Sequence, residues 1–198
     1  MRRHLLLALL TLGFLLGVLP VAPATSFTFT TIDFPGAAHT VAYGINAQGQ
    51  IVGYYQEASG ISHGFLLSDG SFTTIDPPGA TGGTQAQGIN AKGQIVGFYA
   101  ASGGVDHGYL LSDGSFTTIG PPGATYTLAE GINPRGQIVG FYVASGVGHG
   151  FLLSDGSFTT ITIDVPSTET LPHGINPRGQ IVGQYIVSGV SHSFVATP

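Results

Sequence analysis

The pentapeptide Gly-Gln-Ile-Val-Gly occupies residues 49–53 and returns at residues 93–97, 136–140 and 179–183. The tripeptide Gly-Ile-Asn stands five residues before each copy, and successive copies are offset by 44, 43 and 43 residues. A repeat of this length without helical periodicity is typical of the blades of a β-propeller. We therefore expect four structural units, beginning near residues 41, 85, 128 and 171.

Each of the first three units contains four short apolar runs with the character of β-strands, which we call A to D in chain order, and the fourth unit contains runs A to C. Asn90-Ala91-Lys92-Gly93, between runs A and B of the second unit, has the residue order of a type I turn with a glycine bulge. Asp113-Gly114, between runs C and D, is typical of a two-residue hairpin. This pattern predicts an antiparallel meander of four strands in each unit.

The connections from run D to the next run A are rich in Pro and Gly, as in DPPGATGG at residues 76–83. Proline cannot donate a hydrogen bond to a sheet, so these segments are expected to leave one sheet and cross to the next. Residues 29–33, FTTID, resemble a D strand that precedes the first unit, and the last unit has no D run. We expect residues 29–33 to complete the last blade and close the ring, because closure removes exposed sheet edges.

The predicted fold is therefore all-β, a four-bladed β-propeller of four-stranded antiparallel blades. An open solenoid and a dimer that shares eight blades are the alternatives. Apolar letters on both sides of the B and C strands also predict sheets that are buried on both faces.

The amino terminus has the pattern of a secretory signal peptide. Arg2 and Arg3 precede an apolar run over residues 5–19, and small residues follow up to Ala24. The apolar run is shorter than the ~20 residues that span a bilayer, so we expect residues 1–24 to be removed and no membrane span to remain. The predicted mature chain, residues 25–198, is a single domain that is secreted or held in the cell envelope.

Removal of that leader leaves three basic against ten acidic residues, a formal net charge of −7. The basic residues Lys92, Arg135 and Arg178 fall one to a unit, whereas nucleic-acid binding needs clustered Lys and Arg. Nucleic acid is therefore not expected as a partner. The chain has no Cys, so an apolar core must hold the fold without disulfide bonds.

The motifs GINxxGQIVGxY, HGFLLSDG and FTTID together resemble the HAF-repeat family of predicted extracellular bacterial proteins. The resemblance covers nearly all of residues 28–197. The family's His-Ala-Phe tripeptide stands here as His63-Gly64-Phe65 and its three equivalents, so its middle residue differs throughout. The resemblance implies export and a repeat fold, with no activity, cofactor or substrate.

Four histidines, at one position of the repeat, raise the question of a metal site: His63, His107, His149 and His192. Each begins a C strand, two strands of ~4.8 Å spacing away from the A strand, so the four rings are expected to lie too far apart to share zinc. We predict a structural role, with each imidazole bonded to loop backbone where two blades meet. No metal and no cofactor is expected, and a Gly-x-Ser-x-Gly nucleophile motif is absent.

A unique site must lie where the repeats differ. The position before each Gly-Ile-Asn holds four different residues: Tyr43, Gln87, Glu130 and His173. We expect these to approach the axis of the ring at the face of the D-to-A crossings and to form a ligand site in a central funnel. Solvated rim residues with no ligand are the alternative interpretation. Four further residues could extend the site: His39, Tyr126, Thr127 and Glu169.

The function expected from these patterns is a binding module for carbohydrate or another surface protein. One alternative is a lyase or hydrolase that uses Glu130 and His173 as an acid-base pair. A second alternative is a purely structural repeat protein of the cell surface. The sequence leaves the oligomeric state open.

Overall fold

The structure is a computed structural model that describes residues 26–167 and 169–198. The predicted signal peptide, residues 1–24, lies outside the described residues. The chain divides into two compact units, Met1–Thr31 and Ile32–Pro198. Residues 26–31 of the first unit are exposed and form no strand. Within the described residues, no helix is long and apolar enough to cross a membrane.

The second unit is built entirely from antiparallel strands in four sheets, each in meander order. Sheet 1 holds β1–β4, sheet 2 holds β5–β8, sheet 3 holds β9–β12 and sheet 4 holds β13–β15. The strands are β1 His39–Ile45, β2 Ile51–Gln56, β3 Ser62–Ser68, β4 Ser71–Ile75, β5 Gly83–Ile89, β6 Ile95–Ala100, β7 Asp106–Ser112, β8 Ser115–Ile119, β9 Ala124–Ile132, β10 Ile138–Ala144, β11 Val147–Ser154, β12 Ser157–Ile161, β13 Glu169–Ile175, β14 Ile181–Val187 and β15 Val190–Ala196. The predicted all-β class and the four repeated sheets are confirmed.

The turns have the chemistry that the sequence predicts. Gly93 adopts a φ of 76° and donates its backbone N–H to the carbonyl of Asn90 over 3.0 Å. Asp113 and Gly114 both have positive φ, 50° and 74°, as a two-residue type I′ hairpin requires. The Asn turn recurs in all four units and the Asp-Gly hairpin in the first three, and these turns fix the register of the strands that they join.

Consecutive sheets pack face to face and bury an apolar core between them. Between sheets 1 and 2, Val52 packs with Ala86 and Ile89. Val96 makes the equivalent contact with Ala129 between sheets 2 and 3. Each Gly-Gln-Ile-Val-Gly thus begins a B strand whose Val faces the following sheet, and the burial of this side chain stabilises the stack.

The Asn of each Gly-Ile-Asn links one sheet to the next. Its Oδ1 accepts backbone N–H groups of its own turn, and its Nδ2 donates to the Gln that follows the turn. The same Nδ2 also donates to the carbonyl of the next unit's Asn over 3.1 Å, so that Asn46 bonds Asn90, Asn90 bonds Asn133 and Asn133 bonds Asn176. We call this series of bonds the Asn ladder. It explains why the motif is repeated without change.

Two predicted features are not shown. Sheet 4 has the three strands β13, β14 and β15, and residues 29–33 form no strand, so the closure of the ring is not observed. Burial on both faces holds in the two inner sheets but is incomplete in the outer two. Val96 is fully buried, whereas the equivalent Val182 of sheet 4 is 52% exposed. The reason is that nothing among the described residues packs on that side of Val182.

Candidate functional site

All four predicted site residues occupy β-bulges. In each A-type strand, β1, β5, β9 and β13, the pairing with the following strand slips by one residue at the same position. The residue left unpaired in each strand is, in order, Tyr43, Gln87, Glu130 and His173. We call these four residues the bulge row. A bulge turns its side chain out of the regular alternation of the strand, which is how such residues are often placed at sites.

A glycine on the B-type strand makes each bulge possible. A Cβ on Gly97 would overlap the carbonyl oxygen of Gln85, two residues before the bulge residue Gln87. The same overlap with an A-strand carbonyl exists at Gly53, Gly140 and Gly183. The second Gly of Gly-Gln-Ile-Val-Gly is thus a steric requirement of the bulge.

A second glycine, the one in Gly-Ile-Asn, brings neighbouring A-type strands together. A Cβ on Gly88 would lie 3.2 Å from the carbonyl oxygen of Glu130, and one on Gly131 would lie 2.9 Å from that of His173. Side chains larger than hydrogen would push the strands apart at these points. The close approach sets each bulge residue beside the bulge residue of the next sheet.

The side chains of the bulge row interact electrostatically with one another. Glu130 Oε2 lies 3.6 Å from His173 Nδ1. Burial raises the pKa of Glu130 above its ordinary value, and the charge and hydrogen bond of His173 act in the opposite direction. Burial also raises the pKa of Tyr43, with contributions from Tyr54 and the charge of Glu130, while a hydrogen bond with Gln87 lowers it.

Aromatic rings flank the polar groups of the row. The Tyr43 ring lies 5.8 Å from that of Tyr54, and Tyr126 lies 6.2 Å from Phe141. Burial and a hydrogen bond to Asp106 raise the pKa of Tyr126, and the charge of Glu130 adds to this. The surface therefore combines flat apolar faces with an amide, a carboxylate and an imidazole.

The other predicted extensions of the site are less closely associated with the row. Thr127 is buried against Gly108 of the preceding sheet, and Glu169 packs beside Gly148 at the start of β13. His39 is exposed at the first residue of β1. Among the extensions, Tyr126 is linked to the row electrostatically, because the charge of Glu130 contributes to raising its pKa.

The row lies at a different height in the sheets from the one predicted. Tyr43 is the fifth residue of β1, and Asn46 of the A-to-B turn follows soon after. The row is thus nearer to the Asn turns than to the D-to-A crossings. The A-type strands begin earlier than the sequence suggests, because the residues that follow each crossing, such as His39 and Thr40, already pair with the B-type strand.

The four repeated histidines lie against tyrosines of the adjacent B-type strand, with the rings stacked at His63 and His192 and tilted at His107 and His149. The ring centroids are 5.2 Å apart for His63 and Tyr55, and the other three pairs have similar distances, 5.7 Å for His107 and Tyr99, 5.1 Å for His149 and Tyr142, and 5.2 Å for His192 and Tyr185. Among residues 26–167 and 169–198, no three His, Cys, Asp or Glu side chains gather as metal ligands. These ring contacts are consistent with the structural role that the sequence predicts, and the predicted bond of each imidazole to loop backbone stays a prediction.

Sequence reasoning missed one cluster, around His63. Its Nδ1 lies 2.8 Å from Asp76 Oδ2 and its Nε2 lies 3.5 Å from Glu57 Oε1. The cluster borders a cavity of about 220 Å³ that Thr84 also lines. The signal was available, since Gly120 and Thr162 stand where the first unit has Asp76.

The Thr84 hydroxyl in that cavity is buried without a hydrogen-bond partner among the described residues. In the preceding unit the equivalent Thr40 Oγ1 accepts the backbone N–H of Phe34 over 2.9 Å. Pro77 stands at the position of Phe34 in the DPPG crossing and has no N–H to donate. The crossing sequence therefore accounts for the unpaired hydroxyl.

Comparison with solved structures places the fold among β-propeller proteins. The chain is similar to TolB from Acinetobacter baumannii, with a TM-score of 0.53 and 12% identity over 82% of this chain and 44% of that one. It is also similar to AofleA from Arthrobotrys oligospora, with a TM-score of 0.45 and 14% identity over 82% of this chain and 58% of that one. A variant of the Aleuria aurantia lectin in complex with alpha-methyl-L-fucoside gives a TM-score of 0.43 and 17% identity over 74% of this chain and 52% of that one.

The chain thus spans 44 to 58% of the length of these three proteins. No protein-family model matches the sequence. No curated protein matches it either.

Proposed function

We propose that this protein is an exported binding module that takes carbohydrate at the bulge row. The observation that carries the proposal is that four different polar residues occupy one repeat position and are brought together by bulges. A residue that served only the repeat would be the same in every unit, as the Asn of the ladder is. The differences between Tyr43, Gln87, Glu130 and His173 therefore point to a role outside the fold.

The chemistry of the row suits a ligand rich in hydroxyl groups. Sugar hydroxyls both donate and accept hydrogen bonds, and the Gln87 amide, the Glu130 carboxylate and the His173 imidazole supply both kinds of partner. Tyr43 and Tyr126 offer flat faces for the apolar side of a sugar ring. The acidic balance of the predicted mature chain favours a neutral or cationic ligand over an anionic one.

A second candidate function is acid-base catalysis by Glu130 and His173. The 3.6 Å separation of their side chains is within the range of an acid-base pair that tightens on substrate binding. Burial raises the pKa of Glu130, which is the direction that makes a carboxylate a better base near neutral pH. A purely structural protein of the cell surface remains the third possibility, in which the row binds nothing.

Two finer features of the fold belong to the same proposal. We propose that residues 29–33 supply the strand that sheet 4 lacks beside β15 and so complete the last blade. The likeness of FTTID at residues 29–33 to the β4, β8 and β12 sequences supports this. The resemblance to HAF-repeat proteins and the pattern of residues 1–24 support export.

A glycan array with the purified protein, followed by calorimetry on the best glycan, tests the binding function. We expect Gln87→Ala and Glu130→Gln each to weaken binding at least tenfold, the equivalent of about 1.4 kcal/mol. Gln48→Ala, an exposed glutamine of the first Asn turn, is the matched control and should bind as the wild type does. Equal affinities for all three variants would place the site elsewhere.

The same samples separate the alternatives. Release of a shortened glycan that stops in both Glu130→Gln and His173→Gln would favour the catalytic pair over simple binding. If the folded protein binds no glycan on the array, the result would favour the purely structural protein.

A further inference from the structure

The two outer faces of the stack of sheets carry residues that are buried in every inner sheet. We call the side of sheet 4 that looks away from sheet 3 the rear face, and the side of sheet 1 that looks away from sheet 2 the front face. On the rear face Val182 is 52% exposed, although its equivalents Val52, Val96 and Val139 are fully buried. The rear face therefore has the composition of an interface between sheets but no sheet upon it among the described residues.

The front face shows the complementary exposure. Ile45 of β1 is 68% exposed, whereas its equivalent Ile89 is 9% exposed and packs on Val52 of the preceding sheet. Ala42 is likewise exposed, whereas Ala86 and Ala129 are fully buried against the preceding sheet. The front face thus presents the residues that every inner sheet uses to receive the Val of its neighbour.

The backbone of the rear face also leaves space at Gly174 for the close approach of another A-type strand. A Cβ on Gly88 or Gly131 would meet a carbonyl of the following sheet, but one on Gly174 would meet only Val182 of its own sheet. The close approach of A-type strands therefore stops at Gly174 for lack of a neighbour. Tyr43 begins the bulge row on sheet 1 and would supply the missing carbonyl in the same register.

The Asn ladder ends with one unused donor and one unused acceptor. In residues 26–167 and 169–198, Asn176 Nδ2 donates to Gln180 of its own turn and to no following Asn. At the other end, among the described residues, the Asn46 carbonyl accepts only the N–H of Gly49, whereas that of Asn90 also receives Asn46 Nδ2. If the front face of one copy packed on the rear face of another, Asn176 Nδ2 of one copy could donate to the Asn46 carbonyl of the other. This bond would be equivalent to the three ladder bonds within the chain.

We propose that two copies of this chain join head to tail, each rear face packing on the front face of the other, to form a closed ring of eight sheets. The partner at each face is a second copy of this chain, because both faces are exposed in the single chain. Within the chain, the Val side of each sheet packs on the Ala and Ile side of the next sheet, so the exposed rear face and the exposed front face match each other. Two such contacts cover the rear and front faces of both copies and pair the terminal donor and acceptor of each Asn ladder. A heterologous contact of this kind closes only if its rotation completes a circle, and it otherwise builds a filament.

The ring would also extend the bulge row. His173 of one copy would lie beside Tyr43 of the other, as His173 lies beside Glu130 within the chain. This assembly does not depend on what the row binds.

Light scattering after size exclusion, with the full chain, measures the assembly. We expect the wild type to have twice the mass of one chain. Ile45→Glu and Val182→Glu should each halve that mass, because a buried carboxylate would stand in both contacts. Val147→Glu, an exposed valine of sheet 3 at 45% exposure, is the matched control and should remain a dimer. Circular dichroism should show that all variants fold, since each changed side chain is exposed in the single chain.

A mixing experiment tests the head-to-tail order. Ile45→Glu keeps an intact rear face and Val182→Glu an intact front face, so an equimolar mixture should recover a mixed dimer with one sound contact, visible by native mass spectrometry. A monomeric wild type, or a filament in its place, would overturn the closed ring of two copies. A dimer that only one of the two variants breaks would overturn the head-to-tail order.

Discussion

Asn90 bonds at once to its own turn and to the next sheet. Its Oδ1 accepts the N–H groups of Lys92 and Gln94, and its Nδ2 donates to Asn133. The side chain is 3% exposed, so each lost partner would leave a buried polar group unpaired. This double use makes Asn90 a sensitive position, although its motif resembles an ordinary turn.

We expect Asn90→Ala to lower the free energy of unfolding by about 2 to 3 kcal/mol, since it removes both the turn bonds and the ladder bond. Asn176→Ala is the matched control, because the Asn176 side chain makes the same turn bonds but donates no ladder bond within the described residues. It should cost about 1 kcal/mol. Urea unfolding in a Val182→Glu background keeps the rear face open for the comparison. Equal costs would mean that the ladder adds nothing.

The element that decides the candidate site is the bulged A-type strand. Each bulge needs a glycine on the partner strand, and the sheet-to-sheet approach needs the glycine of Gly-Ile-Asn. A regular strand would point Gln87 and its equivalents along the normal alternation of the pleat. The bulge instead gathers four side chains of four sheets into one row.

We expect Gly97→Ala to destabilise the fold by about 3 kcal/mol or more, because the added Cβ overlaps the Gln85 carbonyl and the bulge must shift. Gly120→Ala is the matched control. Its Cβ would meet only Thr127 Oγ1, at 3.8 Å, and its φ is not in the left-handed region. Thermal unfolding should show a large decrease in Tm for Gly97→Ala and a small change for Gly120→Ala. A small change in both would mean that the bulge tolerates a side chain.

At the scale of the whole molecule, the stack of sheets has a stable centre and two open ends. Strands β6 and β10 begin with runs of fully covered residues, whereas the side chains of β1 and β15 are mostly exposed. Local stability follows the apolar contacts that must open before an amide exchanges. The central sheets should therefore govern global unfolding.

Hydrogen exchange measures this gradient. We expect amides of β6 and β10 to exchange most slowly, and those of β1 and β14 to exchange faster in dilute protein. Raising the protein concentration should slow exchange in β1 and β14 and leave β6 unchanged, because a second copy covers only the outer faces. Uniform protection at every concentration would contradict both the gradient and the open ends.

The sequence by itself determined the repeat, the turns and the antiparallel sheets. Asn-x-x-Gly and Asp-Gly set backbone dihedrals through their own residues, and a recurring Val sets which face of each strand is apolar. It also singled out the four positions of the bulge row, which directly precede a constant Gly-Ile-Asn yet hold four different residues. These features are encoded over a few neighbouring residues, so a single sequence reveals them.

Only the tertiary structure decided where those residues meet. The bulge, the 3.6 Å approach of Glu130 to His173, the carboxylates around His63 and the exposure of Val182 arise where separate segments pack. Val96 and Val182 stand in the same Gly-Gln-Ile-Val-Gly motif, yet one is covered by a sheet and the other is not. Burial is a property of the neighbour that a residue acquires, and a repeated motif cannot encode the point at which the neighbours stop.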